Sequence, residues 1–558
     1  MKRWQVVSNQ NQSAEITIDE IVALLLVNRG IITAEEKEFF LHPPNPRELT
    51  AKDIGIDSKQ LRRVITRITQ AIDNKESVIV YADYDADGIT AGAIMWETLH
   101  ALGAKVMPYI PHRIDEGYGF SQKGIDAVKK LYDPQLIISV DHGITAAPKI
   151  AYAKELGIEV IVTDHHVKPK KLPECLLVHT TQLCGAGVAW FVTQELLKNS
   201  PVATEEWRAE LLALAAIGTI ADMVPLLGAN RAIVKYGLSA LNKAERVGLR
   251  ALIADAGLTL GTIGTYEVSH VLAPRLNAMG RLVHGLDALR LLCTKQSDKA
   301  LLLAQQLGLT NKERQVMTEE FTVHAKGVIE TQIKQQALKK LIFISFKEYN
   351  QGVIGLVAGK LVETFYRPAI VIAQGAEISK ASARSIAGFN IIEAIRKCSE
   401  LLVDAGGHPM AAGFTVETKH LGRLQQKLEA LAEKALDEET LTRVLKIDLE
   451  LPLPLVTEEL WRQLRQFEPF GMGNPEPVFV SRNITFSFVR LIGREGKHLK
   501  LNINQAAHHL EAIAFGMGEL YGKLQQNHTV DLAYTIDMNV WNGNRSLQLK
   551  IKDIHLQN

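Results

Sequence analysis

Short apolar runs alternate with longer amphipathic stretches from residue 78 onward. The apolar runs are rich in valine and isoleucine, which favours strands, and the stretches between them are typical of helices. The pattern predicts strands over 78–82, 106–110, 136–140 and 159–162. It predicts helices over 90–102, 122–131 and 146–156. This alternation indicates an α/β domain in which helices cover both faces of a parallel sheet.

The pattern changes three times after this region. Helical stretches dominate from about residue 222 to residue 334, and they include a long predicted helix over 298–333, which Gly308 weakens. A second α/β segment follows, with predicted strands over 341–345 and 369–373, a predicted helix over 353–364 and a glycine-rich stretch over 405–413. From about residue 444, five predicted strands suit a small β-barrel such as an OB fold. These strands lie over 484–492, 498–503, 509–515, 530–540 and 546–554.

Length and composition fit a folded protein of several domains. A chain of 558 residues is too long for a single core, and its hydrophobic content of 47% and charged content of 22% are ordinary for globular proteins. The formal net charge of +1 argues against wholesale coating of duplex nucleic acid, but it does not exclude a local basic channel. The expected division is an N-terminal segment (1–49), a parallel-sheet domain (50–230), a helical connector (231–335), a second α/β domain (336–440) and a β-barrel domain (444–558).

The sequence also predicts the cellular environment. The four cysteines lie far apart and form no CxxC pair, which favours reduced thiols over a disulfide framework or a structural zinc site. The N-terminus lacks the apolar stretch of a signal sequence, and no apolar run reaches the roughly 18 residues of a membrane span. We therefore expect a cytoplasmic protein that does not enter a membrane.

Acidic residues and histidines follow three of the predicted strands. Asp83, Asp85 and Asp87 come after the first strand, and carboxylates this close repel one another, so a bound cation is a natural compensation. Alone, this motif would more often be a solvated turn or a helix N-cap. However, Asp141 follows a second strand, and the Asp164-His165-His166 motif follows a third. Because ligands bind beyond the carboxyl ends of strands in open sheets, these residues are candidates for one metal site.

The donor types narrow the choice of metal. Carboxylate oxygens and imidazole nitrogens without nearby thiolates suit Mn²⁺, with Mg²⁺ as the alternative. Asp222 adds a further carboxylate at the end of an apolar predicted helix. Alone, it would be interpreted as a C-terminal turn residue.

Four motifs resemble the DHH phosphoesterase superfamily: DYDADGIT, SVDHG, TDHH and GTIADMVPL occur in the order characteristic of its members. Further motifs narrow the resemblance to the RecJ family of exonucleases over residues 50–558. They are LAPRLNAMGRL from Leu272, GVIGLVAGKL from Gly352, SARSI from Ser382, AGGHPMAAGF from Ala405, FEPFGMGNPEPVF from Phe467 and HLKL from His498. The resemblance implies an α/β fold with a parallel-sheet DHH domain, a helical connector, a second α/β DHH-associated domain and a C-terminal β-barrel of the OB fold.

The resemblance also implies roles for individual residues. The implied ligands of a centre of two Mn²⁺ or Mg²⁺ ions are Asp85, Asp87, Asp141, His165 and Asp222, with Asp141 as the bridge. His166 is the implied second catalytic histidine, and Asp83 supports or joins the metal ligands. The implied substrate-binding residues are Arg113, Arg275, Asn277, Arg281, Asn311, Ser382, Arg384, Gly406, Gly407, His408 and Trp541. Residues 406–408 are expected to form a turn whose amides approach an anion closely.

The implied activity is degradation of single-stranded DNA to mononucleotides in the 5′ to 3′ direction, in DNA repair and recombination. Single-stranded DNA is the expected partner, and a single-strand-binding protein and a helicase are candidates. Two alternatives stay open: a phosphodiesterase for short oligonucleotides or cyclic dinucleotides, and a non-catalytic DHH-like scaffold that binds DNA in a replication complex.

Two departures from the family pattern concern the metal centre. Tyr81 stands where many superfamily members have a histidine, and His142 stands where relatives commonly have a cysteine. In addition, the segment over 178–183 is shorter than expected.

Overall fold

The computed structural model describes residues 2–8, 16–198, 200–524, 529–541 and 543–556. The chain forms two compact units. The larger unit contains Lys2–Ala273, Leu292–Lys295 and Val444–Asn558, and the smaller unit contains Pro274–Leu291 and Gln296–Arg443. None of the helices within the described ranges has the length and apolar character needed to cross a membrane.

The first half of the larger unit is built around a five-stranded sheet. Its N-terminal elements are β1 (Arg3–Ser8), α1 (Ile18–Asn28), α2 (Ala34–Leu41) and α3 (Ser58–Asp73). The sheet and its helices follow as β2 (Ser77–Ala82), α4 (Ala86–Ala101), β3 (Lys105–Tyr109), α5 (Gln122–Tyr132), β4 (Leu136–Val140), α6 (Ala147–Glu155), β5 (Glu159–Asp164), β6 (Leu176–His179) and α7 (Gly185–Leu196).

The sheet has the order β3-β2-β4-β5-β6, and all of its strands are parallel. The chain runs outward from β2 to β3 and then returns to β4 on the other side of β2. This reversal creates a crevice at the carboxyl ends of β2 and β4, which is where open α/β sheets bind ligands. The predicted parallel sheet is therefore confirmed. Helix α4 begins at Ala86, earlier than predicted, because the Asp85 side chain caps it by accepting a hydrogen bond from the Gly88 amide at 3.0 Å.

Helices follow the sheet in both units. They are α8 (Glu205–Ala221), α9 (Gly228–Leu241), α10 (Val247–Asp255), the short α11 (Thr265–Glu267), a π-helical turn (Val268–Leu272), α12 (Ala273–Leu282), α13 (Leu286–Cys293) and α14 (Ser297–Lys334). The long predicted helix is present as α14, with 38 residues. Gly308 lies within it without interrupting the helix.

The second α/β domain lies in the smaller unit. Its elements are β7 (Ile342–Phe346), α15 (Ile354–Phe365), β8 (Ala369–Ala373), β9 (Ile378–Arg384), α16 (Ile391–Arg396), β10 (Leu402–His408), β11 (Ala411–Glu417) and α17 (Leu421–Ala435). The sheet has the order β10-β11-β9-β8-β7, in which only β7 and β8 are parallel.

The prediction of a turn over residues 406–408 is wrong. Gly406 and Gly407 lie inside strand β10, where Gly407 pairs with Ala412. Gly407 has φ +140°, and a Cβ atom there would lie 2.4 Å from the carbonyl oxygen of Ala411. Only glycine allows β10 and β11 to approach this closely.

The C-terminal part of the larger unit is a closed barrel. Its elements are β12 (Val444–Glu450), α18 (Glu458–Arg465), β13 (Phe479–Ile492), β14 (His498–Gln505), β15 (His508–Ala514), β16 (Val530–Trp541) and β17 (Asn544–Leu556). Strands β13, β14, β15, β17 and β16 follow one another, and β16 pairs with β13 to close the barrel. All five predicted strands are present, and the predicted OB fold is confirmed.

The N-terminal segment packs on the barrel. Strand β1 pairs in parallel with β12, which extends the barrel sheet. Ile21 and Leu25 of α1 belong to the same apolar core as the barrel strands. The remaining elements are short 3₁₀ helices at Pro46–Glu48, Ser399–Leu401, Thr418–His420, Leu453–Leu455, Arg494–Gly496 and Gly518–Lys523.

Candidate metal centre

The three acids that follow β2 lie at the start of helix α4. Asp83 is buried directly after the strand, Asp85 is the N-cap, and Asp87 is in the first turn. The Asp87 carboxylate accepts hydrogen bonds from the amides of Gly185 and Ala186, at 2.7 and 2.8 Å. These amides begin helix α7, whose dipole favours negative charge at this end. Two helix N-termini therefore fix the acidic motif.

The ends of β4 and β5 bring further donors to the same place. Nε2 of His165 lies 3.1 Å from Oδ1 of Asp141. The same nitrogen lies 3.7 Å from Oδ2 of Asp222 and 3.9 Å from Oδ2 of Asp87. Asp222 reaches the cluster because it caps the C-terminus of the apolar helix α8. Asp141 has φ +68°, a left-handed conformation that is costly for a residue with a side chain and is concentrated at functional sites.

The donor atoms of this cluster fit a metal ion. Three of its buried atoms lack a hydrogen-bond partner within the described part of the chain: Oδ1 of Asp83, Oδ1 of Asp141 and Nε2 of His165. Buried polar atoms without partners are rare in proteins because each one costs free energy. The 3.1 Å separation of the Asp141 and His165 atoms is short enough for a hydrogen bond, but their orientation does not form one. Both atoms are therefore available to a shared cation.

Three overlapping groups of donors have ligand atoms within 4.8 Å of one another. The groups are Asp83-Asp85-Asp141, Asp87-His165-Asp222 and Asp141-His165-His166. Oxygen and nitrogen donors without a thiolate suit Mn²⁺ or Mg²⁺ better than a structural zinc ion.

The electrostatics of the cluster favour a cation. Burial is the main cause that raises the pKa of Asp83, and the charge of Asp85 is the second. Burial is also the main cause that raises the pKa of Asp141, and there the charge of Asp87 is the second. The same two causes, burial and the charge of Asp87, raise the pKa of Asp222 to about 9. Burial lowers the pKa of His165, which keeps its imidazole neutral and able to donate a lone pair. A divalent cation would offset the penalty on the ionised carboxylates and would favour the neutral form of His165.

His166 belongs to one of these donor groups, and Asp164 holds its ring in place. Nδ1 of His166 lies 2.8 Å from Oδ1 of Asp164, and Nε2 lies 3.2 Å from the hydroxyl of Tyr118. Asp164 also accepts hydrogen bonds from the amides of Ile144, His165 and His166. Burial lowers the pKa of His166, but the hydrogen bond with Asp164 and the charge of that carboxylate outweigh this effect and raise the pKa overall. Asp164 therefore orients His166 and favours its protonated form.

Glycines allow the helices to approach the carboxylates. A Cβ atom at Gly185 would lie 2.5 Å from Oδ1 of Asp141, and one at Gly218 would lie 2.7 Å from Oδ1 of Asp87. Gly218 lies in a motif that the sequence singled out, but Gly185 was missed. Its only sequence signal is a run of small residues, Gly185 to Gly187, at the start of an apolar helix.

Most of the predicted substrate-binding residues lie in the smaller unit. Arg275, Asn277 and Arg281 lie on α12, Asn311 on α14, Ser382 and Arg384 on β9, and Gly406, Gly407 and His408 on β10. Asn311 is buried and accepts a hydrogen bond from Nε of Arg314. The other two predicted residues lie in the larger unit. The Arg113 guanidinium lies 5.0 Å from the ring centre of Tyr84, and Trp541 ends strand β16, with its side chain outside the described part of the structure.

The N-terminus of α15 is a feature that sequence reasoning missed. No side chain caps this helix. Ser382 and Arg384 lie close to its first turn, since a Cβ atom added at Gly355 would lie 2.9 Å from Oγ of Ser382 and 3.1 Å from Nη2 of Arg384. Nη1 of Arg281 donates to the carbonyl oxygen of Gly352, just before the helix, at 3.3 Å. Free amides at a helix start, a hydroxyl and guanidinium groups together suit a phosphate.

Three family models match consecutive parts of the chain. The model of the DHH family N-terminal domain matches residues 77–219, the DHHA1 domain model matches 338–434, and the RecJ OB domain model matches 447–553. The single-stranded-DNA-specific exonuclease RecJ of Bacillus subtilis (strain 168) is 38% identical to this chain over an alignment of 573 residues. The alignment covers 99% of this chain and 70% of that protein. The chain belongs to the RecJ family.

Solved structures agree with this membership of the RecJ family. RecJ of Thermus thermophilus in complex with Mn²⁺ matches with a TM-score of 0.84 and 31% identity, and the match covers 100% of this chain and 80% of that one. A crystal structure of exonuclease RecJ bound to manganese matches with a TM-score of 0.59 and 36% identity, over 68% of this chain and 95% of that one. The predicted family and its combination of domains are confirmed.

The two departures from the RecJ family pattern lie beside the cluster and not in it. The Tyr81 side chain is buried in the apolar core with Phe120, on one face of the sheet. Nε2 of His142 lies 3.0 Å from the carbonyl oxygen of Tyr81, and burial lowers the pKa of this histidine to about 4. Both residues therefore serve the core, and neither belongs to the donor groups within the described residues.

Proposed function

We propose that this chain is a metal-dependent exonuclease that degrades single-stranded DNA to mononucleotides in the 5′ to 3′ direction, in DNA repair and recombination. Membership of the RecJ family supports the substrate class, because its curated relatives are named single-stranded-DNA-specific exonucleases. The observation that carries the proposal is the convergence of the unpartnered buried atoms of Asp83, Asp141 and His165 at the sheet crevice. Such a cluster has no structural purpose without a cation.

The ligands that we assign to two Mn²⁺ or Mg²⁺ ions are Asp85, Asp87, Asp141, His165 and Asp222. Asp141 belongs to two of the donor groups, one with Asp83 and Asp85 and one with His165, and this supports a bridging role. Asp83 is assigned a supporting role beside them. When bound by these residues, two such ions would supply an activated water molecule and would neutralise the charge on the scissile phosphate and the leaving oxygen. The protein itself needs no nucleophile for this reaction.

His166 is the group that we assign to the departing oxygen. Its hydrogen bond with Asp164 favours the protonated imidazolium, which can donate a proton or stabilise negative charge as the bond breaks. Nε2, which contacts the Tyr118 hydroxyl, is the nitrogen that we assign to this role, because Nδ1 is engaged with the Asp164 carboxylate.

The phosphates of the strand require cationic and amide donors. We propose that a set of residues on α12, α14, β9 and β10 binds the phosphates of the strand: Arg275, Asn277, Arg281, Asn311, Ser382, Arg384, Gly406, Gly407 and His408. Arg113 and Trp541 are assigned to strand binding as well. The uncapped start of α15 beside Ser382 and Arg384 favours this part of the smaller unit for a terminal phosphate.

The setting of the reaction is part of the proposal. We expect a cytoplasmic enzyme to which a helicase and a single-strand-binding protein deliver single strands. The RecJ OB domain over residues 447–553 disfavours a phosphodiesterase for very short substrates, because a dinucleotide needs no additional binding platform. The candidate ligands are all present, which disfavours a non-catalytic scaffold.

Metal stoichiometry tests the assigned centre. We expect two Mn²⁺ ions per chain by isothermal titration, with the paired spin coupling of a two-ion centre in the electron paramagnetic resonance spectrum. Asp141→Asn should abolish the coupling and leave at most one ion, whereas Asp73→Asn, at an exposed carboxylate, should change neither. A coupled pair in the Asp141→Asn protein, or the binding of a single ion to the wild type, would contradict the assignment.

A further inference from the structure

A cavity of about 1170 Å³ lies at the amino ends of strands β5 and β6. Its lining comes from helix α3, from helix α6 and from the segments that lead into the two strands. The candidate metal centre lies at the opposite edge of the sheet. Roughly 20 Å of strand β5 separate the cavity, at Glu159, from His165. The cavity is therefore distinct from the metal centre.

Helix α3 gives this cavity a basic side, which consists of Lys59, Arg62, Arg63 and Arg67. These residues recur at spacings of three and four, so they lie on one face of the helix. Like charges at such spacings repel one another and weaken a helix. Lys59 also lies in the first turn, where the helix dipole disfavours a cation and where only the N-cap Asp57 offsets it. A bound anion would relieve both penalties.

Most of the charge on the basic side has no counter-ion. Arg67 forms ion pairs with Glu76 at 2.6 Å and with Glu159 at 2.7 Å, so its role is structural. The other three cations are exposed, and they form no ion pair within the part of the chain that the structure describes. The whole lining contains five cations but only two carboxylates, those of Glu159 and Glu174. The cavity therefore carries a net positive charge.

The rest of the lining includes an apolar side, which consists of Ile150, Ile158, Val160, Cys175 and Leu176. The first three are buried core residues, and the last two are half-buried. Burial raises the pKa of the Cys175 thiol to about 12, so this side chain is uncharged. The volume matches or exceeds the roughly 300 to 1,000 Å³ of small-molecule sites, which is far more than a bare phosphate requires.

We propose that this cavity binds a nucleoside triphosphate, with its phosphates on Lys59, Arg62 and Arg63 and its base against the apolar side. Guanidinium groups bind phosphate oxygens through paired hydrogen bonds, and apolar side chains favour the face of a base. Two helices and two short segments enclose a limited volume, which favours a small ligand over a continuous nucleic-acid strand. The site needs no ion in the metal centre, so the proposal is independent of the proposed exonuclease activity.

Equilibrium dialysis with radiolabelled ATP in EDTA tests the proposal, because EDTA removes divalent ions that would hold ATP at the metal centre. We expect one ATP per chain with a Kd on the order of 100 µM. The double variant Arg62→Glu/Arg63→Glu should raise this Kd at least tenfold, because it reverses the charge of two phosphate-binding groups. Lys123→Glu/Lys130→Glu, the same change of charge at exposed positions on α5, should leave it unchanged. Circular dichroism of both variants checks that the fold is intact.

Alkylation of the wild type locates the bound nucleotide without any substitution. ATP should slow the reaction of Cys175 with N-ethylmaleimide at least threefold, because the base covers the apolar side of the cavity. Cys293 is also half-buried but lies outside this cavity, so its rate should be the same with and without ATP. Peptide mass mapping measures the two rates in the same sample.

Adenosine and tripolyphosphate test the two sides of the cavity separately, and each should bind at least tenfold more weakly than ATP. Absence of ATP binding to the wild type, tripolyphosphate that binds as tightly as ATP, or equal effects of ATP on Cys175 and Cys293 would each overturn the proposal. Displacement of ATP by single-stranded DNA in EDTA would overturn it as well, because it would assign the cavity to a nucleic-acid strand.

Discussion

The buried carboxyls of the cluster link proton binding to stability. Burial and neighbouring carboxylates raise the pKa of Asp83, Asp141 and Asp222, the last to about 9. In the metal-free protein, the folded state binds these protons more tightly than the unfolded state does, and this difference stabilises the fold. The stabilisation is complete below about pH 4, the pKa of a carboxyl in the unfolded chain, and it is lost as the pH rises towards 9. We therefore expect the metal-free melting temperature to fall between about pH 6 and pH 8.5.

Bound Mn²⁺ replaces these protons, so its stabilising effect should grow with pH. At about 100 times its Kd, the ion should raise the melting temperature by roughly 5 °C at pH 8, and by less at pH 6. Differential scanning fluorimetry with EDTA or Mn²⁺ measures both values, and Asp222→Asn should reduce the pH dependence of the metal-free protein. A Mn²⁺ effect that is the same at pH 6 and pH 8 would argue against the cluster as the binding site.

Asp164 acts through His166, so its substitution should affect turnover more than binding. Asp164→Asn removes the carboxylate that orients Nδ1 and accepts three backbone amides. We expect kcat to fall by about 10- to 100-fold with little change in KM. Steady-state kinetics on single-stranded DNA measures the effect, with Asp126→Asn, at a surface carboxylate that binds the Tyr152 hydroxyl, as the control. A large increase in KM with an unchanged kcat would contradict the positioning role.

At the scale of elements, the glycine at the start of α7 controls the approach of that helix to the metal centre. Gly185→Ala would force a Cβ atom to within 2.5 Å of Oδ1 of Asp141. We expect Mn²⁺ affinity to fall at least tenfold while the helical content is retained. The matched control is Gly359→Ala in α15, where a Cβ atom meets nothing within 4 Å. Titration calorimetry decides the outcome, and wild-type affinity in Gly185→Ala would show that α7 can shift without cost.

The elements that the sequence predicted are those with strong local signals. The valine- and isoleucine-rich runs predicted β2, β4 and β8 nearly to the residue, and the acids directly after β2 and β4 lie together because parallel strands end at one edge. Other features depend on distant partners. Strand β1 pairs with β12, which follows the whole second α/β domain in the sequence, and the pairing of β10 with β11 converts an expected glycine turn into strand. No local pattern encodes such pairings.

At the scale of the molecule, Arg231 ties α9 to the N-terminal segment and to the approach to the barrel. Its buried guanidinium donates to the carbonyl oxygens of Phe40, Phe467 and Glu468, at 2.5, 2.9 and 2.7 Å, and lies 3.9 Å from the ring centre of Phe40. Nothing in the sequence indicated this role, because a single arginine in a helix is usually a surface residue.

Arg231→Met should therefore destabilise the larger unit. The variant leaves several buried carbonyl oxygens without donors, and we expect the free energy of unfolding in urea to fall by about 3 kcal/mol. Arg250→Met, which removes an exposed ion pair with Glu245, should change it by less than about 0.5 kcal/mol. Equal urea midpoints for the two variants would argue against the anchoring role.

We propose that the chain hydrolyses single-stranded DNA from its 5′ end with two ions held by the Asp141 cluster. The most direct test is the time course of nucleotide release with Mn²⁺ from single-stranded and duplex DNA labelled at either end, for the wild type and Asp141→Ala. We expect labelled mononucleotide to be released early from the 5′ end of single strands only, and we expect this release to be lost in Asp141→Ala. Binding without cleavage in any divalent metal, or unchanged cleavage by Asp141→Ala, would contradict it.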